Sequence, residues 1–272
     1  MGVFAMPHRA RWAMTIVLIV GLLVAATATV TRHAAFGHAS ASPPPAGPSQ
    51  PTTPRAQGPI PSTDPQPATG SDAAVMAQLN RMRHLPAVSP PSEPEPSITG
   101  DATTQPDLYA AEFVRRLLTQ DFRTPRDRHL AWVQSESAKS TEPLVVGLVP
   151  SDLRDRLAAF TVTDDADHPA LVPAAATWTG LAGHAANDAT TVEQVIEPLP
   201  WRNAVAAGRI IDPGVTCRIV GATVTRHEQV NGKATTAQTS VSVTLAIEGP
   251  PTRASWGFVA IIDVTTLPMG AS

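Results

Sequence analysis

The spacing of hydrophobic residues changes its period along the chain. Between residues 106 and 160 apolar side chains recur every three or four positions, which is typical of amphipathic helices. Beyond residue 214 they alternate with small polar residues, which is typical of half-buried strands. Helices followed by an antiparallel meander predict an α+β domain with N-terminal helices packed on a curved sheet, and this domain covers residues 106–272.

The first predicted helix begins at Pro106 in the segment PDLYAAEFVRRLL. Proline and the following acid are both tolerated in a first helical turn. Its apolar stripe consists of Ala110, Phe113, Val114, Leu117 and Leu118. A stripe of this width must cover another apolar surface, so we expect the helix to pack on the sheet.

Two further helices are predicted from their start signals. Thr124 is the expected cap of a helix that has Pro125 in its first turn and ends near Ser137. Ser151 is the expected cap of a weaker helix that ends near residue 160. The residues of this third helix that should face the core are Leu153, Leu157 and Phe160.

Three strands are predicted in the last third of the chain, at residues 214–229, 235–248 and 253–267. The pair Asn231-Gly232 between the first two favours a tight hairpin turn, so these strands should be antiparallel. The third strand follows a connection too short for a crossover helix and should join the same meander.

Two upstream segments, residues 171–182 and 190–201, give weaker strand patterns. Prolines at positions 173, 198 and 200 interrupt them, and proline cannot donate a hydrogen bond to a sheet. We therefore expect one or two additional strands there.

An uncharged apolar run extends from residue 12 to residue 30. Its 19 residues would span about 28 Å as a helix, close to the thickness of a bilayer core. Arg9 and Arg11 precede it, which favours a cytoplasmic tail at 1–11 and an extracytoplasmic chain beyond. The alternative is a cleaved secretory signal, with small-residue sites that would leave mature chains beginning near residue 29 or 42. Both interpretations export the remaining chain.

Residues 31–105 are rich in proline and poor in aliphatic periodicity. Such a segment cannot bury enough apolar surface to offset its ordering entropy, so a disordered linker is predicted. One exception is a helical pattern at residues 72–85 that follows a Ser71 cap. It is either a short docking helix for a partner or a transient helix within the linker.

Charge and cysteine content exclude several classes of protein. From Pro106 onward there are 14 basic and 18 acidic side chains and no basic run, which argues against direct nucleic-acid binding. Cys217 is the single cysteine, so an intramolecular disulfide framework and a cysteine-rich metal site are excluded.

No catalytic or cofactor-binding motif is present, so the chain is interpreted as a non-enzyme with no catalytic, cofactor-binding or metal-binding residue. The acidic segment 164–168 (DDADH) is more consistent with a solvated loop than with a cation site. His227 and Glu228 flank the hairpin turn, Asp263 is expected to face outward, and Cys217 to be a small strand residue. Four tryptophans are assigned to core and rim packing: Trp132, Trp178, Trp201 and Trp256.

The order of parts resembles the VirB8-like and TcpC-like conjugation proteins, actinobacterial in type, whose extracytoplasmic domain has an NTF2-like fold. The segment LYAAEFVRRLLTQDFRTPRDRHLAWVQSES, from residue 108, and the terminal meander carry the resemblance. It departs from the family in having room for one such domain where TcpC-like proteins often have two, and in its long linker.

The resemblance implies a non-enzymatic scaffold of a conjugative, type IV secretion-like DNA-transfer apparatus. The expected partners are the membrane, other channel subunits and further copies of the chain, with no cofactor and no small-molecule substrate. Two alternatives stay open: an Mce-associated accessory protein of an importer, and a secreted NTF2-like enzyme or binding domain with Asp263 in a cavity.

Overall fold

The computed structural model describes residues 70–86, 88, 94–140, 142 and 149–271. The predicted cytoplasmic tail, the predicted membrane helix at 12–30 and the first part of the predicted linker lie outside these residues. Within the described ranges, no helix is both long and apolar enough to cross a membrane.

The described residues form an α+β fold, as predicted. The helices are α1 (Gly70–His84), α2 (Pro106–Leu118), α3 (Arg126–Ser135), α4 (Arg154–Val162), α5 (Ala175–Gly183) and α6 (Leu199–Ala206). The strands are β1 (Gln120–Asp121), β2 (Asn187–Ile196), β3 (Val215–Val230), β4 (Lys233–Glu248) and β5 (Gly257–Ala271). Neighbouring strands are antiparallel in the order β1-β2-β3-β4-β5, and the sheet is curled.

The meander predicted for the last third of the chain is confirmed. Asn231 and Gly232 have φ angles of 53° and 74° between β3 and β4, which is the type I′ geometry that an Asn-Gly pair favours. The pairing of β3 with β4 extends without a register shift from Val230↔Lys233 to Val215↔Glu248. Strand β5 follows on the free side of β4 and completes the meander.

The main hydrophobic core lies between α2, α3 and the inner face of the sheet. The whole predicted stripe of α2 is buried, and Tyr109 is buried with it. Phe113 is at the centre, with its ring 4.2 Å from Phe258 and 5.4 Å from Trp132 between centroids. The amphipathic pattern of α2 therefore predicted its packing face correctly.

A second hydrophobic cluster covers the opposite face of β3, β4 and β5. Leu157 and Phe160 of α4 lie there, as predicted, together with Trp201 of α6 and Cys217 of β3. Strand β4 can be buried on both faces because its last four residues, LAIE after Thr244, begin with three consecutive apolar side chains.

The predicted caps Thr124 and Ser151 are wrong, although both helices exist. The N-cap of α3 is Pro125, because the Thr124 hydroxyl donates to the Asp121 carbonyl oxygen (2.7 Å) in the turn after β1. Ser151 begins a short 3-10 helix, Ser151–Leu153, whose N-cap is Pro150, and no side-chain cap is present. The Thr124 hydroxyl is thus satisfied by the preceding turn instead of by the helix.

Of the two upstream segments expected to give one or two strands, residues 171–182 give none, because residues 175–182 lie in α5. Alanine is the best helix former, and Pro173 stands just ahead of the helix start. Trp178 stabilises this helix from within the core, where its indole Nε1 donates to the Thr124 carbonyl oxygen (2.9 Å). The segment 190–201 contributes the second half of β2 and the start of α6.

Helix α1 corresponds to the helical pattern found inside the predicted linker, and it packs on the domain. Leu79 and Met82 are buried in the second cluster. Arg156 of α4 donates to the carbonyl oxygens of Arg83 (2.7 Å) and Leu85 (3.2 Å) at the end of α1. Its apolar side is therefore occupied by the chain itself.

Candidate functional site

A cavity of about 200 Å³ opens on the inner face of the sheet, beside the C-terminal end of α2. Strands β3, β4 and β5 form one wall, and the segment 170–173 forms the other. Its apolar lining includes Leu118, Leu171, Val224 and Val241.

Two charged side chains line the cavity and bind each other. The guanidinium of Arg226 on β3 donates from Nε and Nη2 to the two carboxylate oxygens of Asp188 on β2, at 2.7 and 2.6 Å. The two residues are direct partners in the β2–β3 register, so the sheet itself sets this bidentate geometry. The Asp188 side chain is 5% exposed and that of Arg226 is 35% exposed.

The guanidinium group of Arg226 also lies over the aromatic ring of Phe122. The Arg226 Cζ atom lies 5.2 Å from the ring centroid, within the range of a cation–π contact. The hydrogen bonds to Asp188 raise the pKa of Arg226, against the opposing effect of its burial. The pair is therefore a fixed, charge-balanced element of the cavity wall.

Gln120 closes the inner end of the cavity. Its side-chain Nε2 donates to the carbonyl oxygens of Leu117 (2.8 Å) and Leu171 (2.7 Å). This amide therefore connects the end of α2 to the segment 170–173, and the Asp188–Arg226 pair connects β2 to β3 in the opposite wall.

The size and charge balance of the cavity limit what it can do. Ligand pockets usually measure about 300–1,000 Å³, so this one would take a small group or a side chain. Among the described residues that line it, the charged ones are Asp188 and Arg226, and each is held by the other. General acid–base chemistry needs a group that is free to exchange a proton, and this arrangement does not offer one.

The acidic segment 164–168 binds α1. Arg81 of α1 donates from Nε to the Asp165 carbonyl oxygen (2.8 Å) and from Nη2 to the Asp167 carboxylate (2.6 Å). Gln78 also donates to Asp167. Among the residues with described positions, no group of three metal-ligating side chains is found. The segment thus attaches α1 to the domain.

His168 is half-buried behind this segment. Burial lowers the pKa of its imidazole, against the opposing effects of a hydrogen bond to the Pro169 carbonyl oxygen and of the nearby Asp263 and Asp167 carboxylates. Asp263 is half-buried beside Val264, which faces the main core, and Asp263 is not part of the cavity lining. The structure therefore places Asp263 with His168 and apart from the Asp188–Arg226 pair.

The other sequence candidates take structural positions. The Cys217 thiol is buried, and burial raises its pKa to about 12, so it stays protonated at neutral pH. His227 lies 3.3 Å from the Thr236 hydroxyl across the hairpin, and Glu228 lies 3.8 Å from His184. Trp132, Trp178 and Trp201 are buried, and Trp256 packs at the edge of the main core, as predicted.

A buried acidic group at the other end of the sheet was not anticipated. Glu248 is 4% exposed, and none of the described residues forms a hydrogen bond with its Oε2 atom. Burial raises its pKa, and the Asp212 and Glu142 carboxylates raise it further, against a hydrogen bond from Ser140. Glu142 itself accepts a hydrogen bond from the Asp212 backbone N–H (2.6 Å).

Comparisons with protein-family models, with curated proteins and with solved structures gave no match to this chain. Arguments about function therefore depend on the geometry of the described residues and on the sequence pattern.

Proposed function

We propose that the chain is a membrane-anchored, non-enzymatic scaffold in a conjugative, type IV secretion-like DNA-transfer apparatus, with an NTF2-like domain outside the membrane. The curled five-stranded meander with α2 across its inner face supports the NTF2-like assignment. The predicted helix at 12–30 supports the anchor, with the N-terminus in the cytoplasm.

The observation that carries the non-enzymatic part is the bidentate Asp188–Arg226 pair in the cavity. An NTF2-like enzyme of the acid–base type would need an unpaired carboxyl group there, with a raised pKa. The carboxyl group that lines this cavity is instead bound through both oxygens. A charge-balanced wall favours a role through protein contacts, with further copies of the chain and other channel subunits as partners.

The test is purification of the full chain, with an affinity tag, from native membranes. Recovery of a coupling ATPase and of channel subunits is the expected result. Recovery of importer subunits would replace the proposal with an Mce-associated role. Mature protein free in the medium and beginning near residue 29 or 42 would refute the anchor and the scaffold together.

The cavity itself favours a second candidate, an NTF2-like domain that binds a small molecule. Val224→Phe would fill part of the cavity, with Thr265→Phe on the exposed part of β5 as a matched control. A scaffold should keep DNA-transfer activity in both variants, whereas a ligand-dependent protein should lose it in Val224→Phe alone.

A further inference from the structure

Over most of its length, one edge of strand β2 is left unpaired by the residues that the structure describes. On one side it pairs with β3 from Asn187 to Ile196. On the other side β1 pairs with Asn187 and Asp188, and within the described part of the chain no strand pairs there with residues 189–196. A row of backbone N–H and C=O groups is therefore available for another strand.

This edge has few of the features by which natural sheets prevent an exposed strand from pairing with another chain. Residues 189–196 (ATTVEQVI) contain no proline and no lysine, and the protective features are a register shift between Val192 and Gln194 and the charge of Glu193. By contrast, the exposed part of β5, the strand at the opposite end of the sheet, contains Pro268, which cannot donate to a ladder.

A groove of about 310 Å³ runs between this edge and the outer face of α2. Its apolar lining comes from three elements: Ile98 and Ala102 before α2, Ala111 on α2, and Val192 on β2. Leu108 stands at the rim with 43% of its surface exposed, which is high for a large aliphatic side chain. The groove can therefore take apolar side chains from a strand seated on the β2 edge.

The charged residues that line the groove are Glu112, Arg115 and Arg116, which together carry one positive charge. Glu112 accepts hydrogen bonds from Arg115 through Nε (2.8 Å) and Nη2 (2.7 Å) and from Arg116 through Nε (2.7 Å). Two guanidinium groups thus share one carboxylate, and the Arg115 side chain is 46% exposed. An incoming acidic side chain would balance this charge.

We infer that the β2 edge and this groove bind an extended segment of another protein by strand addition. The segment pairs with residues 189–196, directs alternate apolar side chains into the groove and presents an acidic side chain to Arg115 and Arg116. Main-chain hydrogen bonds supply affinity, and the groove and the positive rim supply selectivity. The inference goes beyond the proposed scaffold role, which does not specify a contact surface.

The proline-rich part of the chain's own linker is a poor occupant for this edge. Between residues 43 and 67 it contains ten prolines, with no run of more than four residues free of proline. Proline lacks the N–H that a ladder requires, so this segment cannot pair continuously along eight residues of β2. An occupant from a different chain, with few prolines, fits the edge better.

Binding of short synthetic peptides to the purified full chain tests the inference. The probe alternates valine and threonine and has one central aspartate, and its binding is measured by fluorescence anisotropy. Two further peptides are N-methylated at alternate backbone positions. In one of them the methyl groups block the N–H groups along one edge of the strand, and in the other they block those along the opposite edge. Strand addition uses a single edge, so one form should lose binding while the other retains it. Replacing the aspartate by lysine should weaken binding about tenfold.

Protein variants connect the binding to this groove. Arg115→Glu should weaken the aspartate peptide about tenfold, because it reverses the charge of the rim. Arg123→Glu is the matched control. Arg123 also donates two hydrogen bonds to a nearby carboxylate, that of Asp121, but it does not line the groove. It should leave binding unchanged, and the melting temperatures of both variants show whether they are folded.

Three results would overturn the inference: no saturable binding of the aspartate peptide, equal binding of the two N-methylated forms, or equal effects of the two arginine substitutions. Disulfide-linked dimers of a Glu193→Cys variant would also overturn it, because the occupant would then be a second copy. Cys217 is buried and should not interfere. None of these results affects the membrane-purification test of the scaffold role.

Discussion

The Asp188–Arg226 pair leads to an asymmetric prediction about stability. In Arg226→Gln, the Asp188 carboxylate stays 5% exposed and loses both charge-assisted hydrogen bonds. Removing one partner of a fully buried pair typically costs about 3–5 kcal/mol of unfolding free energy. Because the Arg226 side chain is 35% exposed, solvent screening reduces this cost. We therefore expect Arg226→Gln to lower the free energy of unfolding by about 2–4 kcal/mol.

The converse variant, Asp188→Asn, should cost less. Arg226 would keep its contact with Phe122 and could turn its guanidinium toward water, so we expect a loss of about 1–2 kcal/mol. The double variant leaves neither an unpaired buried carboxylate nor an unpaired guanidinium. Its loss should be smaller than the sum of the two single losses by about 1 kcal/mol or more.

Urea unfolding of the full chain, followed by tryptophan fluorescence, gives these free energies. The midpoints must be compared at equal slopes, since a changed slope would indicate a change in compactness. The reasoning would be refuted if Asp188→Asn were as destabilising as Arg226→Gln, or if the two single effects simply added in the double variant.

Three further predictions use the same assay. Phe113→Ala should lower the free energy of unfolding by about 3–5 kcal/mol, because it opens a cavity in the main core. Leu108→Ala, on the exposed side of the same helix, should lower it by less than about 1 kcal/mol. Similar losses in the two variants would contradict the packing of α2. Gly232→Ala should lose about 1 kcal/mol, because a Cβ atom disfavours its φ of 74°, and an unchanged midpoint would argue against the type I′ turn. Glu248 has a raised pKa in the folded state, so its stabilising contribution is complete below the unfolded pKa of about 4.5 and is lost as the pH rises through the folded value. Glu248→Gln should therefore flatten the decline of stability above pH 4.5 and raise stability at neutral pH, and an unchanged pH profile would show that Glu248 is not the group responsible.

The sequence pattern predicted the elements whose burial follows from local periodicity. The stripe of α2 and the alternation in β3, β4 and β5 each reflect which side of an element must leave water, and this is visible in the spacing of apolar residues. The Asn231-Gly232 pair fixed the hairpin because its backbone conformation is intrinsic to those residues.

Elements whose stability comes from distant contacts were predicted less well. The segment of α5 was considered for a strand although its alanines favour a helix, and the hydrogen bond by which Trp178 attaches it to Thr124 is not visible in any local pattern. Helix α1 was recognised as helical, but its attachment to the domain depends on Arg81 reaching Asp167, 86 residues away in sequence.

The candidate site shows the same division. The chain's composition and motifs pointed to no catalytic group, and no pattern marked Asp188 or Arg226, which are 38 residues apart. Only the register of β2 against β3 places them opposite each other, and only the curl of the sheet over α2 puts them in a cavity wall. The amino-acid sequence by itself determined most of the helices and strands, α5 excepted, and which of their faces are apolar, because those properties depend on near neighbours. The tertiary structure decided which charges meet and which strand edge is left unpaired by the described residues, because both depend on strand register and on contacts between residues far apart in the chain.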